Sequence, residues 1–399
     1  MRPRSNRKRS AALAGVLTLA VAGALALPGA ASGAVLGLQD DQLTSGPLSE
    51  VDERLPVLSQ TKTKFTRIDV LWGQVAPTAP TRPRDPNDAA YDWSRADRII
   101  CGLARRGMGR MIVAYSAPAW ATQNLKGPPQ GSEVNPNFPR LGAYRDFMFA
   151  IAKRYSGNFI PATKDETCTA AKLPRVRHWE VWQEPHIEKT LKPQYRGAKR
   201  AAFPLYVQMT RKAYPAIKSA NGRKNGRRAI VIGGVGAPRS SNNRLGNSAA
   251  VWQKLVLRSK ARFDWYSQHI YAGVAPKRKS KAIPTWSTLP QMIKEIDKVK
   301  KRRGMKIIIT ESGYTTGRGA RTGKRAVVSK KQQALYLRQI AGLKVVKSSR
   351  VPLVMWFNMS DNPFWLGGLY DLDGKKKPSF ASYRRVAKKT KKLPPILRP

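Results

Sequence analysis

Acidic residues are what this chain has least of for its size. Only 24 Asp and Glu stand against 74 Lys and Arg in 399 residues, a formal net charge of +50. None of the acids precedes Asp40. Such a balance points to anionic partners or surfaces, an anionic cell-wall polymer among them, or to no more than a solvated basic surface. Cysteine is nearly as scarce: Cys101 and Cys168 are the only two, with no zinc-finger spacing. They leave open one disulfide or two buried free thiols, since spacing alone does not decide the pairing. Of the three histidines, His178 and His186 lack ligand spacing with a third group, so no metal site and no cofactor are expected. A glycine-rich phosphate loop is missing, and so is any recognisable nucleic-acid motif. No specific nucleic acid is therefore expected as a partner. There is no internal repeat beyond an alternation of strand and helix signals.

Long apolar runs are confined to the start. Arg2, Arg4, Arg7, Lys8 and Arg9 precede an Ala- and Leu-rich run at 11–27, and Ser32-Gly33-Ala34 offers a cleavage site. Residues 1–34 thus read as a secretory signal peptide, with an uncleaved anchor as the alternative. The expectation is a secreted or cell-surface protein acting as a monomer.

The rest is organised around 176–186, VRHWEVWQEPH. Val176, His178, Glu180 and Trp182 alternate with Arg177, Trp179, Val181 and Gln183, which is a strand signal. Pro185 stops the strand, because proline cannot donate to a ladder. Glu184 is thereby left at the strand's end. A second stretch, MKIIITESG at 305–313, is an apolar strand that also ends in a glutamate, Glu311.

Around these two, strand signals fall at 35–39, 65–71, 111–115, 229–233, 263–269, and 352–357. Helical spacing falls at 48–59, 93–106, 141–155, 201–219, 249–259, 289–301, 330–346 and 379–389. Eight strand–helix units predict an α/β chain folded as a single-domain (β/α)8 barrel over 35–389. A doubly wound sheet is disfavoured by the count and by the missing phosphate turn. The segment 390–399 is basic and proline-rich and is expected to fray. The loops after strands are the long ones, as on the face of a barrel that carries function.

Two carboxylates at strand tips of one face are the equipment of glycoside hydrolysis, one to protonate the leaving oxygen and one to attack or activate water. At this point the chain resembles glycoside hydrolase clan A, the retaining barrels, with family 5 cellulases and family 39 xylosidases nearest. WEVWQEPH resembles the strand-four block and implies Glu184 as acid/base. IIITESGY resembles the strand-seven block and implies Glu311 as nucleophile. FTRIDVLWGQVAP implies Arg67, SQHIYAG implies His269 and Tyr271, and VMWFNMSDN implies Trp356 as substrate-binding residues. Arg67 would hold Glu311 ionised, because an adjacent cation favours a carboxylate. Tyr271 would hydrogen-bond the same group, and His269 would orient the acid/base or a sugar hydroxyl. Trp356, Trp120 and Trp72 are candidates for stacking on sugar faces, or ordinary core.

Gln183 departs from the resemblance, which has asparagine there. The amide that would serve the sugar 2-hydroxyl gains a methylene, leaving hydrolysis and carbohydrate binding without hydrolysis as competing outcomes. A third reading, a binder of anionic polymer, looks to Lys277, Arg278, Lys279, Lys281, Arg318, Arg321, Lys324 and Arg325 after strands six and seven. Arg223, Lys224, Arg227 and Arg228 are as basic on the expected opposite face, so the charge is global.

Overall fold

The computed structural model describes residues 33–320 and 326–399. The expected signal peptide falls almost wholly outside the described residues, and so do Arg321, Lys324 and Arg325. Eight parallel strands close into a barrel: β1 (Val35–Gln39), β2 (Phe65–Leu71), β3 (Gly109–Tyr115), β4 (His178–Val181), β5 (Ile230–Gly236), β6 (Trp265–Ile270), β7 (Ile307–Ser312) and β8 (Leu353–Phe357). Each strand pairs with its sequence neighbours, and β8 returns to β1 over the whole of that strand, Val35 beside Leu353 through Gln39 beside Phe357. The main helices are α1 (Leu48–Gln60), α2 (Ser94–Arg105), α3 (Leu141–Arg154), α4 (Ala202–Asn221), α5 (Ala249–Arg258), α6 (Leu289–Asp297), α7 (Lys330–Gly342) and α8 (Pro378–Ala387). This is the (β/α)8 architecture the alternation of signals predicts.

The strands are buried on both faces, which is why they read as apolar runs. Inward, Val35, Phe65, Met111, Ile230, Ile232, Trp265, Ile308, Leu353 and Met355 fill the lower barrel. Gly37 sits among them because a Cβ there would collide with the Met355 sulfur. Outward, the strands meet the helices. Trp72, just past β2, stacks on Phe147 of α3 with ring centres 4.9 Å apart. Trp72 is fully buried and belongs to this shell rather than to a sugar platform. Helix starts are set locally: Ser329 accepts the Gln332 N–H while the Gln332 side chain accepts from Ser329, a capping box at α7.

Cys101 of α2 and Cys168 are joined in a disulfide, with Cα atoms 5.3 Å apart across 67 residues. Closing a loop of that length removes roughly 4 kcal/mol of unfolded-chain entropy.

The final segment does not fray. Leu393 and Leu397 are buried in the lower barrel cluster. Arg177 donates to the carbonyls of Pro395, Ile396 and Arg398. His178 Nε2 donates to the Ile396 carbonyl at 3.0 Å. Composition alone predicts solvation; the apolar residues interleaved with the basic ones instead find the open floor of the barrel.

His178 is thus buried and neutral, its pKa pushed down to about 3 by burial and the nearby Arg177 charge. His186, also buried, is pushed down to about 3. The unfolded chain takes up these protons below pH 6.5 and the folded chain only near pH 3, so stability falls as pH drops through that window. Denaturant unfolding at pH 7 and pH 4 should differ by about 3 kcal/mol less in His178→Asn than in the parent. An unchanged difference would mean that His178 is not held neutral.

Candidate active site

The site stands at the C-terminal ends of the strands, where a barrel of this type gathers its loops. Its centre is Arg67, from β2, 1% exposed. Its Nε donates to Glu180 Oε2 at 2.8 Å. Nη1 reaches Gln39 Oε1 at 2.9 Å, Asp69 Oδ1 at 2.9 Å and Glu311 Oε1 at 3.0 Å. Nη2 donates to Gln183 Oε1. The surrounding carboxylates hold the guanidinium charged despite its burial.

Glu311, at the end of β7, is 6% exposed and surrounded by donors. Besides Arg67, Gln183 Nε2 donates to Oε1 at 2.7 Å and the Tyr271 hydroxyl to Oε2 at 2.8 Å. Glu184 is more open, its side chain 16% exposed, and its Oε1 lies 2.7 Å from His269 Nδ1. His269 Nδ1 also lies 3.4 Å from Glu311 Oε2. Burial opposes a charge on His269, but the Glu311 charge and the Glu184 hydrogen bond outweigh it and raise its pKa. Glu184 and Glu311 present carboxylate oxygens within 4.8 Å of each other.

The backbone that delivers Glu184 is contorted. β4 ends at Val181, and Trp182 and Glu184 then take positive φ values of 66° and 38°. Such conformations cost non-glycine residues on the order of 1–3 kcal/mol each. The turn is held from outside: Trp182 Nε1 donates to the Thr190 carbonyl at 2.9 Å, and the Thr190 hydroxyl donates to the Glu184 carbonyl at 2.6 Å.

Glu184, His269 and Glu311 are also the one group of histidines and carboxylates among the described residues placed to share a cation. The Arg67 guanidinium bonded to Glu311 already supplies the positive charge there. A metal ion beside it would be repelled, so the set is better fitted to moving protons.

Of the residues singled out from the sequence, Arg67, Gln183, Glu184, His269, Tyr271 and Glu311 meet in this network. Trp356 does not. It is 1% exposed, faces the helical shell and donates its Nε1 to the Gly367 carbonyl at 3.1 Å. The alternation along β8 turns Leu353, Met355 and Phe357 inward instead. The aromatics beside Tyr271 are Phe357 and Trp365, with ring centres 6.3 and 5.0 Å away. Trp120, in the loop after β3, gives its Nε1 to the Ala76 carbonyl at 2.8 Å and its ring edge to Trp72. It is partly buried.

Three further participants go unmarked in the sequence. Glu180 is fully buried on β4 and accepts from Ser267 Oγ at 2.6 Å as well as from Arg67. Gln39 ends β1. Asp69 accepts from Arg67, Gln39 and Tyr115, and burial pushes its pKa up to about 6. The signal that could have found them is a polar or charged residue inside an apolar strand of a closed barrel, which must point into the lumen.

No family model and no curated protein matches the sequence. Solved structures do match in fold. A family 39 glycoside hydrolase from the gut symbiont Bacteroides cellulosilyticus is 20% identical, over 89% of this chain and 64% of that one, with a TM-score of 0.57. A family 39 β-xylosidase from Caulobacter crescentus is 18% identical, over 90% and 72%, with a TM-score of 0.53. GH5_18 from Streptomyces cattleya, in complex with GlcNAc, is 13% identical, over 92% and 83%, with a TM-score of 0.58. The chain therefore spans just under two thirds of the first of these. At such identities the likeness is one of fold, the barrel shared by both groups.

Glu180→Gln should lower unfolding stability by about 3 kcal/mol, because it strips a fully buried counter-charge from Arg67. Glu184→Gln, partly open and already strained, should cost less than about 1 kcal/mol. Equal costs in urea unfolding would refute the central role given to the Arg67–Glu180 pair.

Proposed function

We propose that this chain is a glycoside hydrolase of the retaining type. The observation that carries the reading is the pair Glu184 and Glu311, two carboxylates from separate strand ends with oxygens within 4.8 Å. Retaining pairs stand about 5–5.5 Å apart, and inverting pairs leave room for an intervening water. Glu311, fixed by Arg67, Gln183 and Tyr271, is oriented as the nucleophile toward an anomeric carbon. Glu184, more exposed and in contact with His269, protonates the departing oxygen. It then takes a proton from the water that releases the glycosyl-enzyme. Tyr271 and Arg67 stabilise the Glu311 carboxylate as it is regenerated. The fold neighbours, glycoside hydrolases and β-xylosidases among them, support the same class. The charged, apolar and small-residue order of residues 1–34 supports export, with turnover at the cell surface or beyond.

With aryl β-xylosides and β-glucosides as a panel, proton NMR of the first product should show the substrate's anomeric configuration. Glu311→Gln should reduce kcat by at least about 1,000-fold. In Glu184→Gln, substrates with good leaving groups should suffer least, since they need little protonation. An inverted product, or full activity in Glu311→Gln, would overturn the assignment.

One observation favours a carbohydrate-binding barrel without hydrolysis. The Gln183 amide commits its oxygen to Arg67 and one N–H to Glu311. Only its second N–H remains for a sugar hydroxyl. If that N–H serves the transition state, Gln183→Asn should withdraw it and lower kcat/KM by about 100-fold. A rise in kcat/KM would show that the longer side chain weakens the site. Absence of turnover in both proteins would favour the binding-only reading.

A further inference from the structure

A cavity of about 210 Å³ lies between the loops that follow β3 and β4. Its lining includes Asn124, Asn137, Phe138, Glu188, Lys192 and Arg196. One wall belongs to the same loop as Glu184. The Thr190 hydroxyl ties that loop to the Glu184 carbonyl, and the Lys192 N–H donates to the Pro136 carbonyl at 2.7 Å, joining the two loops beside the cavity. The loop that carries Glu184 thus also supplies one wall of the cavity.

Its chemistry is distinctive. Asn137, 7% exposed, is fixed by bonds from Nδ2 to the Gly127 carbonyl at 3.1 Å and to Asn135 Oδ1 at 2.8 Å, and its oxygen accepts from Asn124 at 3.2 Å. The Arg196 guanidinium stands 5.8 Å from the centre of the Phe138 ring. Among the described residues, neither Lys192 nor Arg196 has a carboxylate within ion-pair distance, and Glu188 is the single acid in the lining. Arg196 is exposed and Lys192 partly buried, and with one acid against two cations the lining carries a net positive charge. A neutral sugar would cover both charges without replacing their hydration. A carboxylate would meet Arg196 through paired hydrogen bonds and Lys192 as a point charge.

The geometry points to a subsite, on the loop that carries Glu184, for a sugar that carries a carboxylate, a uronic acid, received by Arg196 and Lys192. Asn124 and Glu188 then face its hydroxyl groups. The inference rests on the glycosidase reading and narrows its substrate class to acidic polysaccharides or oligosaccharides.

The test uses Glu311→Gln protein, so that binding is read without turnover. Methyl β-D-glucuronide and methyl β-D-glucoside are titrated calorimetrically. The glucuronide should bind at one saturable site, about tenfold tighter than the glucoside, as expected of one charge-assisted hydrogen bond. Adding Arg196→Gln or Lys192→Gln should weaken glucuronide binding about tenfold. Adding Arg223→Gln, away from the cavity, should leave it unchanged. Equal affinity for the two sugars overturns the inference. So does glucuronide binding that ignores Arg196→Gln, or that falls as much with Arg223→Gln. Failure of the hydrolase reading looks different: selective glucuronide binding in a chain that cleaves no glycoside keeps the subsite and removes the catalysis.

Discussion

The arrangement depends on one buried guanidinium. Arg67 reaches acceptors delivered by four strands: Gln39 from β1, Asp69 from its own β2, Glu180 and Gln183 from β4 and just beyond it, and Glu311 from β7. A cation taken out of water is tolerated only where such partners replace its hydration. The requirement runs both ways. Glu180 and Asp69 could not sit inside a barrel without that charge, and Glu311 could not be held at its angle. The planar fork of donors is what lets one side chain reach so many acceptors, which a lysine ammonium could not do from the same place.

The distribution of charge along the chain follows the same logic. With so few acids, most basic side chains have none to pair with, yet Asp69, Glu180 and Glu311 are crowded around a single arginine. Structural pairs such as Asp97 with Arg154 and Asp361 with Lys377 use others to fasten helices and loops. What remains outside is a surface of cations in water, whose field has no single direction. A directional preference must then come from cavities, where solvent no longer screens the charges fully.

The barrel was legible because strands buried on both faces and helices with one apolar stripe leave different periodicities. The same double burial hides register. In LVMWF of β8 every side chain is apolar, so nothing in the residues says whether Trp356 or Phe357 faces the lumen. Where a strand carries a polar residue the ambiguity lifts. Glu180 and Asp69 announce their direction, although only the closed barrel shows that it leads to Arg67. The tail misled for another reason: Leu393 and Leu397 are too widely spaced among lysines and prolines to read as core until the barrel floor is there to receive them. The meeting of Glu184 with Glu311 was readable as two strand ends, but the distance between them depends on closure, which no local signal contains.

The positive φ angles at Trp182 and Glu184 set two kinds of selection against each other. Glycine would relieve the backbone at residue 184 and remove the carboxylate in the same step. A search of variants scored on heat resistance alone would drift toward that replacement, and one scored on a working carboxylate would return to the strained residue. The position can be improved only indirectly, by strengthening the neighbours that hold it, such as Thr190. Evolvability at this corner of the barrel therefore lies in the supporting loop rather than in the residue it supports.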